Sequence, residues 1–199
     1  GLVEHYPANE KYYGEYVVDG SPVVAGLLAS YGVRLVFTGH FHAQDITKKE
    51  LAAEAGTERN PPPRFVIDVE TGSLVTYPCP YRLIRISQDR TCTIESRFIR
   101  SIAGRETGFA EYARDFAFTG TIGLADRALA KYRVSEAGRE VLSPQIAEAY
   151  VAHLAGDEKK PRVVIDPKGA GFMGRVVLFF QKDLVEGWWT DLSPSDNTL

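Results

Sequence analysis

The sequence has 199 residues, of which 44% are hydrophobic and 25% are charged, and its formal net charge is −3 at pH 7. This length is sufficient for one large domain, or for one domain and a smaller one, with a buried core. A mildly acidic chain without a basic stripe argues against nucleic acid as the main partner. No apolar run approaches the ~18 residues that a transmembrane helix needs, so no membrane span is predicted.

The first predicted elements are a helix and a buried strand. Ser21 is the predicted N-cap of the helix, and Gly32 is suited to its C-terminal cap. The apolar run 33–38 predicts a strand that is covered on both faces of a sheet. Residues 47–55 predict a short helix, and the three consecutive prolines in 56–64 predict a loop.

Three more strands are predicted at 65–69, 82–87 and 91–99, and the last two form a hairpin. In that hairpin Cys79 and Cys92 are far out of register with each other, which excludes a disulfide between directly opposed residues. We therefore expect two free thiols.

The second half of the sequence is predicted to be mostly helical. Residues 107–133 have helical spacing, and Gly120 and Gly123 are expected to divide them into two helices. A further helix is predicted to open at Ser143, and the length of the segment 174–186 favours another.

These patterns predict two regions. Residues 1–102 form an α/β region with mixed or antiparallel strands at its end, and residues 103–199 form a mostly helical C-terminal extension. In the extension, His153 is predicted to lie on a helix face rather than to bind a metal. The neighbouring Trp188 and Trp189 are predicted to pack in the core.

The candidate site is the sequence Gly39-His40-Phe41-His42, which follows the first predicted strand directly. Two imidazoles in this position face one small volume, and neutral imidazole is a frequent ligand of zinc, iron, manganese and nickel. Gly39 is expected to let the backbone turn, and Phe41 to pack beneath the site. The alternative interpretation is two ordinary loop histidines.

Residues 36–42, Val-Phe-Thr-Gly-His-Phe-His, resemble the last signature of the calcineurin-like metallophosphoesterases. Residues 71–82 are similar to the strand region that follows this signature in many members. The resemblance extends over about the first half of the chain, residues 1–100.

The resemblance implies a fold, an activity and a metal centre. Members hold two divalent metal ions (zinc, iron, manganese or nickel) in a β-sandwich with flanking helices, and they hydrolyse phosphomonoesters or phosphodiesters with a metal-activated water. It implies that His40 binds the second metal and His42 the first. The chain would then be the second half of that sandwich followed by the extension.

Three earlier motifs of the family are absent from these 199 residues, namely Asp-x-His, Gly-Asp-x-x-Asp and Gly-Asn-His-Asp/Glu. We therefore expect an incomplete metal site and a fragment that is inactive alone. His5 has three open interpretations: a direct metal ligand, a residue beside the site, or a surface histidine.

A competing hypothesis is a non-catalytic interaction or dimerisation module derived from the same fold. Half of a sandwich exposes a large apolar face, which soluble monomers rarely tolerate. The expected partners are therefore a missing N-terminal half or a second copy of the chain, in addition to a phosphate-ester substrate in the intact enzyme.

Overall fold

The computed structural model describes residues 1–51 and 64–199 and combines helices and strands, as the α/β prediction requires. The helices are α1 (Asn9–Tyr13), α2 (Ser21–Ser30), α3 (Phe109–Lys131), α4 (Glu136–Ala155) and α5 (Gly171–Gly187), and a 3₁₀ turn (Gly14–Tyr16) follows α1. The strands are β1 (Leu35–Thr38), β2 (Asp45–Leu51), β3 (Arg64–Glu70), β4 (Pro80–Ile86) and β5 (Cys92–Phe98).

The described strands form two sheets. The first has the order β1-β3-β2, in which β1 is parallel to β3 and β2 is antiparallel to it. The second is the predicted hairpin of β4 and β5, in which Ile86 lies opposite Cys92. Both cysteines are free, as their positions in the hairpin predict.

The first sheet lies between α2 and the hairpin. Because side chains alternate along a strand, the two faces of β3 have different partners. Val66 packs with Leu2, Val3 and residues of α2, whereas Val69 packs with Ile46 and with Ile94 of the hairpin.

One prediction for this region is confirmed in part, and one is wrong. β1 has packing partners on both faces, since Val36 packs on the α2 side and Leu35 on the hairpin side, but Phe37 at its end is 48% exposed. Residues 47–51 belong to β2 rather than to a helix, because they pair with β3 in a register that local propensity does not report. Residues 52–63, which include the rest of that predicted helix and most of the predicted proline loop, lie outside the described residues.

Helix α2 begins and ends at glycines. Gly20 precedes it in the left-handed conformation, so Ser21 is its first residue and no side chain caps it. At the other end Gly32 has a φ of +80°, and the amides of Gly32 and Val33 donate to the carbonyl oxygens of Ala29 and Leu28. This is the C-terminal motif in which glycine avoids the strain of a positive φ.

The helices of the second half are longer than the sequence predicts. Gly120 and Gly123 do not divide α3, since a glycine costs a helix only about 1 kcal/mol and α3 packs along α4. α4 begins at Glu136, where the Ser135 Oγ accepts a hydrogen bond from the Gly138 amide, and Pro144 lies inside it.

The helical half packs directly on the first half. One core cluster combines Tyr6, Phe41 and Ala43 with Ala149, Val185 and Trp188. The C-terminal tail also returns to β5, where the Leu199 and Ile94 backbones exchange hydrogen bonds of 2.8 and 3.0 Å. Among the described residues, none of the helices has both the length and the apolar composition of a membrane span.

Candidate metal-binding loop and aromatic cleft

Residues 39–42, which we call the histidine loop, connect β1 to the start of β2. The Thr71 amide donates to the Thr38 carbonyl oxygen at 3.1 Å, and this bond holds the end of β1 beside the end of β3. Phe41 is buried and its ring contacts those of Tyr6 and Tyr16. Phe41 therefore packs beneath the loop, as predicted.

Both histidines of the loop have an unusual backbone conformation. The φ angles of His40 and His42 are +89° and +70°. Residues other than glycine rarely adopt this region, and each one costs about 1–3 kcal/mol, which contacts with the surrounding structure must offset. Such outliers concentrate at functional sites, so the strain is consistent with a functional role for both residues.

Gly39, which the sequence marks as the turning residue, is not in the left-handed region. A Cβ at Gly39 would meet only the Thr71 carbonyl oxygen at 3.6 Å, an ordinary contact. The sharp turn is therefore made by the histidines themselves. Gly72 is the glycine that the loop needs, since a Cβ there would lie 2.9 Å from the His42 carbonyl oxygen.

The imidazoles of His40 and His42 are exposed and unengaged. Within the described part of the chain, neither ring has a hydrogen bond or an ion-pair partner. The His40 ring contacts the Tyr16 ring with centroids 5.0 Å apart. Their nitrogens are thus available to a ligand, and imidazole nitrogen suits borderline transition-metal ions.

Both histidines border a cleft of about 620 Å³ between the first half of the chain and helices α3, α4 and α5. We call it the aromatic cleft. Its wall includes the rings of Tyr13, Tyr16, Phe41, Tyr132, Tyr150 and Trp188. Because the histidines are exposed to solvent and also line the cleft, they lie at its rim.

Two phenols of the cleft wall, those of Tyr13 and Tyr150, have raised pKa values. Burial, together with the neighbouring Tyr13 and Tyr16 phenols and the Glu70 carboxylate, raises the pKa of Tyr150 to about 12. Burial also raises the pKa of Tyr13, with further contributions from Tyr16 and Glu15. Tyr13 and Tyr150 therefore offer uncharged hydroxyl groups.

Beneath the histidine loop lies a fully buried ionic layer, formed by His5 and the carboxylates of Asp45, Asp68 and Glu70. The His5 Nδ1 is 2.8 Å from Asp45 Oδ1, and its Nε2 is 3.1 Å from Asp68 Oδ2 and 3.4 Å from Glu70 Oε2. We call these four residues the buried carboxylate layer.

The buried carboxylate layer holds both sides of the histidine loop. Thr38 Oγ1 donates to Asp68 Oδ1 at 2.6 Å, and the Phe41 amide donates to Glu70 Oε1 at 3.1 Å. Asp68 also accepts hydrogen bonds from the amides of Leu2 and Val3. The loop is therefore fixed from below by groups that are themselves hydrogen-bonded.

His5 is the cation of this layer. Burial by itself lowers the pKa of His5, but the carboxylates of Asp45, Asp68 and Glu70 outweigh it and raise the pKa to about 10. Burial raises the pKa of Asp68, yet the hydrogen bond and charge of His5 bring it below its ordinary value. The interpretation of His5 as a surface histidine is wrong, because the residue is 1% exposed.

Arg82 is a second cation under the loop and is half-buried. Its guanidinium donates to the carbonyl oxygens of Glu70 and Asp196 at 2.8 and 2.6 Å, and to that of Asp45 at 3.2 Å. It also donates to Ser96 Oγ at 3.2 Å. Arg82, which lies on β4, therefore connects this strand by hydrogen bonds to β2, β3, β5 and the C-terminal tail.

Sequence reasoning missed this layer, although one part of it has a readable signal. Asp68 and Glu70 stand two apart in an otherwise apolar strand, so they share one face. Acidic side chains on a buried face require partners. The partners themselves, His5, Asp45 and Arg82, come from distant segments and have no local signature.

Among the described residues, a search for three potential metal ligands with atoms within 4.8 Å of one another finds Asp157, Asp191 and Asp196. The carboxylates of Asp157 and Asp196 already accept hydrogen bonds, including those from each other's amides at 3.0 and 2.5 Å. They join the loop after α4 to the C-terminal tail.

His153 lies on α4, as predicted, but is buried there. Its Nδ1 is 2.7 Å from Glu158 Oε1, and its ring packs against Tyr6 and Phe41. His153 therefore packs against Phe41 in the core and does not line the cleft.

Comparison with known proteins gives no assignment: no family model matches the chain, and no curated protein does.

Proposed function

We propose that this chain is the C-terminal portion of a calcineurin-like metallophosphoesterase, in which residues 1–102 form half of the α/β sandwich and residues 103–199 form the helical extension. The intact enzyme would hydrolyse phosphomonoesters or phosphodiesters. The observation that carries the proposal is the state of His40 and His42. Both have a strained backbone and a place at the rim of a cleft, and neither imidazole has a hydrogen-bond or ion-pair partner among residues 1–51 and 64–199.

The two imidazoles fit a metal centre. His40 would hold the second of two divalent ions and His42 the first, and zinc, iron, manganese or nickel suits nitrogen ligands of this kind. When bound, such ions neutralise the phosphate and lower the pKa of a bound water towards 7. The remaining ligands would come from outside these 199 residues.

His5 has a supporting place in this proposal. Both of its ring nitrogens lie against carboxylate oxygens, at 2.8 Å from Asp45 and 3.1 Å from Asp68. We therefore favour the interpretation of His5 as a residue beside the site over that of a direct ligand. The role of His5 would be to hold in place the carboxylates that anchor Thr38 and Phe41.

The chain's own residues orient the two metal-binding imidazoles. The Phe41 ring is fixed in the core and its amide is fixed by Glu70, so the residues on either side of it have little freedom. Preorganised ligands lose less conformational entropy when they bind. This gives a physical reason for retaining two strained residues in succession around a buried aromatic ring.

The first half of the chain has a free strand edge and exposed apolar side chains, which a partner could cover. β1 pairs only with β3 among the described strands, so its other edge has free backbone groups. Val23, Leu27 and Tyr31 lie on one face of α2, and all three are exposed. We propose that an N-terminal half of the sandwich covers this surface.

The second candidate function is the non-catalytic dimerisation module, and the same exposed surface favours it. Analytical ultracentrifugation of the chain with Leu27→Glu as a variant distinguishes the two. A dimer that Leu27→Glu dissociates supports the module. A monomer that binds an apolar dye on this surface supports the fragment, and a monomer without dye binding contradicts both.

Isothermal titration with Zn²⁺ or Mn²⁺ tests the proposed metal site. We expect weak binding by the chain alone, and its loss in both His40→Ala and His42→Ala. Gln181→Ala is the matched control, since Gln181 also lines the cleft but offers no imidazole. Binding that survives both histidine substitutions would contradict the proposal, and so would tight stoichiometric binding to the chain alone.

A further inference from the structure

The aromatic cleft has the size of a small-molecule site. Its volume of about 620 Å³ lies within the range of about 300–1,000 Å³ that ligand pockets of proteins occupy. It is bounded by three long helices on one side and by the histidine loop on the other.

The wall of the cleft excludes charged ligands from its interior. Of the described residues that line it, none is Asp, Glu, Lys or Arg. A charged group inside would lose its hydration without gaining a partner, which costs several kcal/mol. The polar lining groups are phenols, Thr121 and Gln181, in addition to the two histidines at the rim.

The aromatic part of the wall favours a flat, apolar ligand. The Tyr13 and Trp188 rings are stacked with centroids 6.4 Å apart, and the Tyr150 ring meets Trp188 edge-on at 5.1 Å. Aromatic ligands gain additional energy from offset-stacked and edge-to-face contacts with such rings. Leu124, Leu129 and Leu178 of the helices supply an aliphatic surface opposite them.

We propose that the aromatic cleft binds the uncharged aromatic group of a phosphate ester whose phosphate lies at His40 and His42. The part that concerns the phosphate rests on the proposed function, whereas the binding of an aromatic group to the cleft does not. The substrate class of the intact enzyme would then be aryl or arylalkyl phosphate esters, and sugar phosphates would be excluded.

The test is isothermal titration of the full chain with four probes: 1-naphthol, 1-naphthyl phosphate, inorganic phosphate and glucose 6-phosphate, each with and without Zn²⁺. We expect 1-naphthol to bind without metal. We also expect 1-naphthyl phosphate to bind more tightly with Zn²⁺, and at least about tenfold more tightly than glucose 6-phosphate, a difference of about 1.4 kcal/mol.

Leu124→Glu places a carboxylate in the wall of the cleft and is expected to weaken the binding of 1-naphthol at least about tenfold. Leu124 is 58% exposed, so the variant is expected to fold. Phe116→Glu is the control on the same helix, since Phe116 is 72% exposed and does not line the cleft. Leu124→Gln, which adds no charge, is the second variant, and circular dichroism checks the fold of each.

The outcomes separate the two proposals. If Zn²⁺ strengthens the binding of all phosphates equally, without preference for the naphthyl group, the aromatic-group inference is overturned while the metal site stands. If 1-naphthol binds and Zn²⁺ adds nothing to the naphthyl phosphate, the inference stands for the cleft and the proposed function fails. Two further results would overturn the assignment of the cleft. One is 1-naphthol binding that Leu124→Glu leaves unchanged. The other is a dimer of the chain that dissociates when 1-naphthol is added.

Discussion

Histidine side chains have opposite environments in the histidine loop and in the buried carboxylate layer beneath it. In the loop, His40 and His42 are exposed, strained and without polar partners among the described residues. In the layer, His5 is 1% exposed and touches three carboxylates. The difference separates the proposed metal ligands from a residue that supports the loop that carries them, and each can be altered independently.

The largest expected effect is at His5. His5→Ala leaves Asp45, Asp68 and Glu70 buried without the imidazolium that they contact, and breaking a buried ion pair in this way costs about 3–5 kcal/mol. Urea unfolding followed by circular dichroism measures the loss. His40→Ala, an exposed site, is expected to change the free energy of unfolding by less than about 0.5 kcal/mol. Equal effects of the two substitutions would remove the distinction between layer and loop.

Arg82 tests the layer from the other strand. Arg82→Met removes the donors to three backbone carbonyl oxygens and one hydroxyl, and we expect a loss of about 3 kcal/mol in the free energy of unfolding. Arg85→Met on the same strand is the control, because the Arg85 side chain is 65% exposed and forms a long ion pair of 3.6 Å with Glu95. A loss below 1 kcal/mol for Arg82→Met, about that of the control, would show that Arg82 is not a support.

Alanine substitution of Gly39 in the loop and of Gly72 beside it is expected to affect stability differently. Gly72→Ala places a Cβ 2.8 Å from Pro80 Cγ and 2.9 Å from the His42 carbonyl oxygen, so we expect a loss of about 1–3 kcal/mol and weaker metal binding. Gly39→Ala meets only an ordinary contact and is expected to change stability by less than about 0.5 kcal/mol. The reverse order in thermal unfolding would restore Gly39 as the turning residue.

The smallest expected effect is the release of strain in the loop itself. His40→Gly is expected to be about 0.5–1 kcal/mol more stable than His40→Ala, because glycine accepts a φ of +89° without a steric penalty. Both variants lose the imidazole, so both lose the metal affinity that titration measures. If alanine is the more stable replacement, the backbone of residue 40 relaxes and is not held in place by its surroundings.

The success of the sequence-based predictions depended on whether a signal was local. The β4–β5 hairpin was predicted because its side chains alternate around a short polar turn, and the histidine loop because its residues are contiguous. Residues 47–51 have the composition of a helix, and only their pairing with β3 makes them a strand. The helix that was predicted to open at Ser143 begins at Glu136 instead, since the packing of α4 accommodates Pro144 in its interior.

The candidate site shows the same limit at the level of side chains. His40 and His42 follow from the motif, whereas the acidic pair on β3 was missed, although its two residues stand on one face of an apolar strand. Asp45 lies 40 positions after His5 in the sequence, and Asp68 lies 63 positions after it. No local sequence pattern encodes contacts over such separations.

The most direct test of the central claim uses the four histidines as reporters in one experiment. In an NMR titration of the chain with Zn²⁺, or with Mn²⁺ as a broadening agent, the imidazole Hε1 signals of His40 and His42 are expected to shift or broaden together. Those of His5 and His153 are expected to stay unchanged at the same metal concentration, because both rings are buried and both Nδ1 atoms already contact carboxylates. A response of His5 or His153 without one at His40 and His42 would contradict the account.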